Sequence, residues 1–160
     1  MPTDLCINLM PDSLAEIKAV AELCEQSGLH SIGIADSPML ARDLYITCAG
    51  ALEATDRLGV MSAVTNPVTR HPSVMAAAAL TLGEIAPGRV TLGMATGDSA
   101  LWGVGLRPAR VSQLREYIVA LRSLMRGEQA CWQGGAFAIP QAPLDSDTVG
   151  VEDRRGFGGP

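Results

Sequence analysis

The stretch Gly28-Leu29-His30-Ser31-Ile32-Gly33-Ile34-Ala35-Asp36 sets a glycine ahead of a short apolar run that stops on a carboxylate. The same arrangement returns twice. Gly59-Val60-Met61-Ser62-Ala63-Val64-Thr65-Asn66 stops on an amide, and the run after Gly88 stops at Thr96-Gly97-Asp98. The glycines lie 31 and 29 residues apart, and the polar stops Asp36, Asn66 and Asp98 lie 30 and 32 apart. A period of about 30 residues is the size of one strand–helix unit.

Local signals fill in the units. Leu5 to Met10 reads as a first strand, closed by Pro11. Ser13 with Glu16 has the capping-box pattern that opens a helix. Leu14, Ile17, Ala21 and Cys24 recur on one face of that helix, and Gly28 suits its C-terminal cap. His30 to Ala35 is a second strand and Leu44 to Arg57 a second helix. Leu58 to Thr65 is a third strand, followed by a helix with Pro72 in its first turn and an end near Ile85. Arg89 to Ala95 and Val111 to Met125 complete a fourth pair.

The strands are apolar at nearly every position, as parallel strands covered on both faces are. Right-handed crossovers then bring every polar strand end to one rim, so Asp36, Asn66, Thr96, Gly97 and Asp98 should gather there. That rim is where both open parallel sheets and barrels bind ligands. The first strand–helix turn, Met10-Pro11-Asp12-Ser13, holds no glycine, and no P-loop pattern occurs. Elimination therefore favours a barrel over a dinucleotide-binding sheet, without proving it.

The chain has 160 residues, 48% of them hydrophobic and 18% charged, enough apolar material for one packed domain. A net charge of −5 argues against nucleic-acid or anionic-membrane partners. No apolar run reaches about 18 residues, so a soluble, cytoplasmic protein is expected. Cys6, Cys24, Cys48 and Cys131 form no CxxC pair or metal-ligand spacing. Reduced, buried thiols and no metal are expected of them.

Three segments in register carry a family likeness. They are Ala35-Asp36-Ser37-Pro38 with Arg42-Asp43-Leu44-Tyr45, then Val64-Thr65-Asn66-Pro67-Val68-Thr69-Arg70-His71-Pro72, then Pro87-Gly88-Arg89-Val90 running into Ala95-Thr96-Gly97-Asp98. Together they resemble the luciferase-like monooxygenase superfamily, and most of all its deazaflavin (coenzyme F420) branch, which includes methylenetetrahydromethanopterin reductase. Met125-Arg126-Gly127-Glu128, with Trp132 and Gly134-Gly135, is similar to the family's hairpin insertion after the fourth helix. The resemblance spans roughly residues 3 to 140.

The resemblance implies an α/β fold, the N-terminal half of a (β/α)8 TIM barrel of about four units, with a flat cofactor ring at the rim. The cofactor it implies is F420, with FMN as the alternative, and the activity is hydride transfer to or from a small organic substrate. It places Asp36 beside ring and substrate, and Ala63-Val64 at a bulge that often holds a cis peptide behind the ring. It places Thr96, Gly97 and Asp98 at the ring's polar edge, with Asn66 on the same rim. Asp36 and Asp98 become the candidate proton-moving acids.

Plainer readings stand beside these. Asp36 can be a solvated strand end, and Asp98 a turn or helix cap. Arg70 and His71 read as helix-start packing, His30 as structural and Tyr45 as helix packing. Trp102 either shields a site or covers the loop from Gly97 to Pro108. Ser37 follows Asp36 where some relatives carry His, which speaks against the sugar-phosphate dehydrogenase branch.

A complete barrel of this kind has about 250 residues. After Ile139-Pro140 no further apolar run follows, and Leu144 to Pro160 is rich in Asp, Gly and Arg. Residues 1–140 are therefore expected to form a partial, truncated barrel and 141–160 a disordered tail. A homodimer, or association with a second half-barrel, is expected to cover the open edges. The competing readings are a non-catalytic truncated remnant or interaction module and, less directly, another βα-barrel enzyme acting on a phosphate-bearing substrate.

Overall fold

A computed structural model of the chain describes residues 4–133 and 135–137. The expected tail at 141–160 and the domain boundary at 140 lie outside the described residues. Four strands, β1 (Cys6–Leu9), β2 (Ser31–Ile34), β3 (Gly59–Thr65) and β4 (Val90–Met94), form one parallel sheet in chain order. Between them run α1 (Leu14–Gln26), α2 (Leu44–Glu53) and α3 (Pro72–Ile85). After β4 come a single-turn helix α4 (Ser99–Trp102), α5 (Val111–Met125) and the antiparallel hairpin β5 (Ala130–Trp132) and β6 (Gly135–Phe137).

Sequential parallel pairing needs a connection that returns the chain to the same end of the sheet, and each helix supplies that crossover. The register aligns Ile7, Ile32, Val60 and Val90 across the sheet. Ile32, Ile34 and Val60 are buried with Ile17, Leu44 and Leu52, so the sheet packs one face on α1 and α2. A second core joins α3, α5 and the hairpin through Met75, Tyr117, Leu121, Leu124 and Trp132. Tyr117 and Trp132 meet edge to face at 5.1 Å.

The opposite face differs from the expectation of strands apolar on both sides. It carries Asn8, Gly33, Met61 and Thr91 in register, so that only Met61 of the four is a large apolar residue. At Gly33 an added Cβ would strike the Asn8 side chain and stand 2.7 Å from the Ala63 Cβ. The two outer strands are also the least covered: β1 is mostly exposed and β4 half-buried throughout.

The repeating glycines do two different jobs. Gly28 and Gly88 turn the chain at φ +77° and +74°, in left-handed territory where a Cβ is strained. Gly59 instead opens β3 against Ser31, with ordinary backbone. The thiols split as well. Cys24 and Cys48 are buried as expected, whereas Cys6 and Cys131 are exposed, because each lies on a strand with one uncovered side. Burial pushes the Cys48 thiol up to about 12, so it stays protonated and unreactive at neutral pH.

Candidate functional site

At the C-terminal rim the polar ends of β2 and β3 meet. Asp36, just past β2, is 4% exposed. Its Oδ2 accepts from the Thr65 hydroxyl at 2.6 Å and from Arg70 Nη1 at 2.6 Å. Arg70 also reaches Asp43 Oδ2 at 3.1 Å, while Asp43 Oδ1 caps α2 by accepting from the Tyr45 and Ile46 amides. The guanidinium lies 5.0 Å from the centre of the Tyr45 ring, within cation–π range. From the other side, the Tyr117 hydroxyl donates to the Arg70 carbonyl at 2.9 Å.

Four elements thus close on one buried ion pair. Burial works to lower the Arg70 pKa, but the Asp36 charge and the bonds to Asp36 and Asp43 outweigh it and raise the value. Burial drives the Tyr45 and Tyr117 hydroxyls up, so both stay protonated at neutral pH. Asp36 is therefore no solvated strand end. Its Oδ2 already holds two donors, which suits a positioning carboxylate better than a free proton donor.

The rest of the rim surrounds the β3–β4 corner. The Ala63-Val64 peptide is cis, and the β3–β4 register shifts between Ser62 and Thr65, at the expected bulge. Val64 is exposed on the open face, and a Cβ on Gly93 would stand 3.3 Å from its Cγ1. Asn66 is buried, and its Oδ1 accepts from the Val68 and Thr69 amides at 3.0 Å each. That Asx turn uses the carbonyl side, and the Nδ2 donor has no partner among the described residues. Gly97 sits against it at φ +91°, where a Cβ would enter the Leu101 side chain.

Thr96 accepts from the Ala109 amide at 2.9 Å through its carbonyl. Asp98 is exposed at the start of α4 and accepts from the Ser99 hydroxyl at 2.9 Å. It makes no side-chain bond to the helix backbone, so capping does not explain it. His71 does cap α3, accepting from the Ser73 amide, as helix-start packing predicts. Trp102 stands exposed on α4, and His30 lies 3.8 Å from Asp4 at the opposite end of β2.

The structure therefore joins Asp36 to Thr65 and Arg70, and Asn66 to Gly97. Reading the sequence missed Arg70 as the partner of Asp36. The signal was present, since the two lie 34 residues apart, close to one repeat. An exposed apolar Val64 and a buried amide with a spare donor fit a flat, heteroatom-edged ring at this rim.

Residues 3–149 match the family of luciferase-like monooxygenases. This chain belongs to that family. Its members similar to this chain include 5,10-methylenetetrahydromethanopterin reductase of Methanolobus tindarius, 28% identical over 93% of this chain and 46% of the relative. Another is F420-dependent glucose-6-phosphate dehydrogenase of Microbacterium testaceum, 37% identical over 76% of this chain and 40% of the relative. The likeness thus extends to a sugar-phosphate dehydrogenase despite Ser37.

Two solved structures share the fold. Coenzyme F420-dependent tetrahydromethanopterin reductase from Methanopyrus kandleri superposes with a TM-score of 0.71 at 22% identity, covering 79% of this chain and 41% of its own. The oxygenating constituent of 3,6-diketocamphane monooxygenase from Pseudomonas putida, in complex with FMN, gives 0.76 at 14% identity, covering 93% and 49%. The chain spans less than half the length of each of these four proteins. Its four βα units correspond to one half of a luciferase-like barrel.

Proposed function

We propose that this chain forms the ring-binding side of a luciferase-like oxidoreductase that holds coenzyme F420, with FMN as the alternative, beside a small organic substrate. The observation that carries the reading is the meeting of Val64, Asn66 and Gly97 at one rim in a chain of this family. Val64, with Ala63 behind it, offers apolar surface to a ring face. The Asn66 amide offers a donor to a polar ring edge, and Gly97, at positive φ with Leu101 packed where a Cβ would lie, sets the turn between Thr96 and Asp98.

A bound ring supplies hydride transfer to or from a substrate carbon. The chain's own residues supply position and a proton route. Asp98, exposed and uncommitted to the backbone, is the residue proposed to move a proton at the substrate. Asp36 shapes the site through Arg70 and Thr65. F420 is preferred because two relatives are named for it or for a reductase of that kind, and FMN stands second because a structural neighbour holds it.

The test is a fluorescence titration of purified protein with F420 and, separately, with FMN. Saturable binding of F420 is expected, about tenfold tighter than FMN, a difference of about 1.4 kcal/mol. Binding of neither at tens of micromolar would leave the interaction-module reading, which the uncovered β1 and β4 favour. Covering those strands is the proposed role of a second copy or a second half-barrel.

A further inference from the structure

On the same rim, next to Asn66 and Thr96, a cavity of about 460 Å³ opens between the starts of α3 and α5 and the hairpin. Pro67, Pro108 and Trp132 give it apolar walls. Arg107, His71 and Gln113 give it a polar side, and Arg70 lies at its edge. The Arg70 guanidinium is committed to Asp36 and Asp43, so it adds no free positive charge. Arg107 is different. It is exposed and has no carboxylate partner among the described residues.

The helices reinforce that charge. His71 begins α3, and Gln113 sits in the first turn of α5, where its Oε1 accepts from the Arg110 amide. Neither first turn contains an acidic residue, so no carboxylate there offsets the positive ends of the two dipoles. One unpaired guanidinium and two helix starts form the charged end, and an indole and two prolines form the apolar end. A bare inorganic ion would leave those apolar walls wet. A neutral apolar molecule would leave Arg107 unused.

We propose that this cavity binds a small organic anion, a carboxylate or phosphate monoester on an apolar stem. The anionic group lies against Arg107 and the stem against Trp132. None of the residues lining the cavity is among those proposed to face the ring, and the proposal does not depend on the cofactor reading.

Trp132 supplies the readout, in a Trp102→Phe background that removes the exposed second indole. Benzoate, phenyl phosphate and neutral benzyl alcohol are titrated at constant ionic strength. Benzoate or phenyl phosphate should give a saturable change, the tighter of the two naming the preferred head group, and benzyl alcohol should bind much more weakly. Arg107→Ala should weaken the anion at least about fivefold. Arg107→Gln, which keeps the stem without the charge, should do the same and replaces it if the alanine variant does not fold. Three results would overturn the proposal: equal anion affinity without the arginine, benzyl alcohol binding as well as benzoate, or no saturation below about 20 mM.

Discussion

Arg70 shows how much one side chain holds at the residue scale. Its removal leaves Asp36, 2% exposed at its side chain, as a buried carboxylate with one remaining donor. Breaking a buried pair from one side costs about 3–5 kcal/mol. Arg70→Met should therefore lose about that much in urea unfolding, and adding Asp36→Asn should recover part of it. Additive losses in that double-mutant cycle would contradict the coupling. Asp98 should behave oppositely. With its carboxylate exposed, Asp98→Asn should leave stability unchanged and lower turnover about a hundredfold at unaltered ring affinity. Equal turnover would remove Asp98 from the proton route.

Glu25 gives the pH prediction. Its carboxylate accepts from the Arg57 amide at 2.6 Å and from those of Leu58 and Asp56, fixing the turn into β3. The Arg57 amide bond does most to hold its pKa below the ordinary carboxylate value, against a smaller opposing effect of burial. A lowered folded-state value means stability present above the unfolded value and lost as pH falls through the lowered one. The melting temperature should therefore drop between about pH 5 and about pH 3. Glu25→Gln should flatten that drop, and an identical slope in the variant would rule Glu25 out.

Legibility at the scale of elements depended on whether the deciding contacts were local. The bounds expected for α3 and α5 match the structure, because Pro72 starts one and a continuous apolar stripe defines the other. The capping pattern at Ser13 also held, with Ser13 accepting from the Glu16 amide. In the return bond the Asp12 amide donates to the Glu16 carboxylate, one residue earlier than a strict capping box. α2 stops at Glu53 rather than Arg57, since Glu25 captures the amides beyond it from 31 and 32 residues away in sequence. No local pattern encodes that. α4 was missed because a four-residue helix in a glycine-bearing loop has no periodicity to read. Gly97 tests that corner. Gly97→Ala forces a Cβ into Leu101 at positive φ, which should cost about 1–3 kcal/mol in urea unfolding. Wild-type stability would mean the corner yields.

Across the whole molecule the repeat was legible because each unit encodes itself, and the rim followed from chirality alone. What covers the sheet was not legible in that way. β1 and β4 are the outer strands, with no further strand beside either among the described residues. Around them Leu5 is 63% exposed, Met10 53% and Ile7 40%, beside the open face that carries Val64. Those residues and edges are complementary to a second copy: β4 of each chain beside β1 of the other joins eight strands through one two-fold axis. Light scattering should then give twice the 16.7 kDa chain mass at micromolar concentration. Ile7→Glu, which places a charge at that edge, should shift the mass to one chain while circular dichroism stays unchanged. A folded monomer of the unmodified chain at the same concentration would end the pairing idea. The ring titration would then have to be read on four strands with both edges in water.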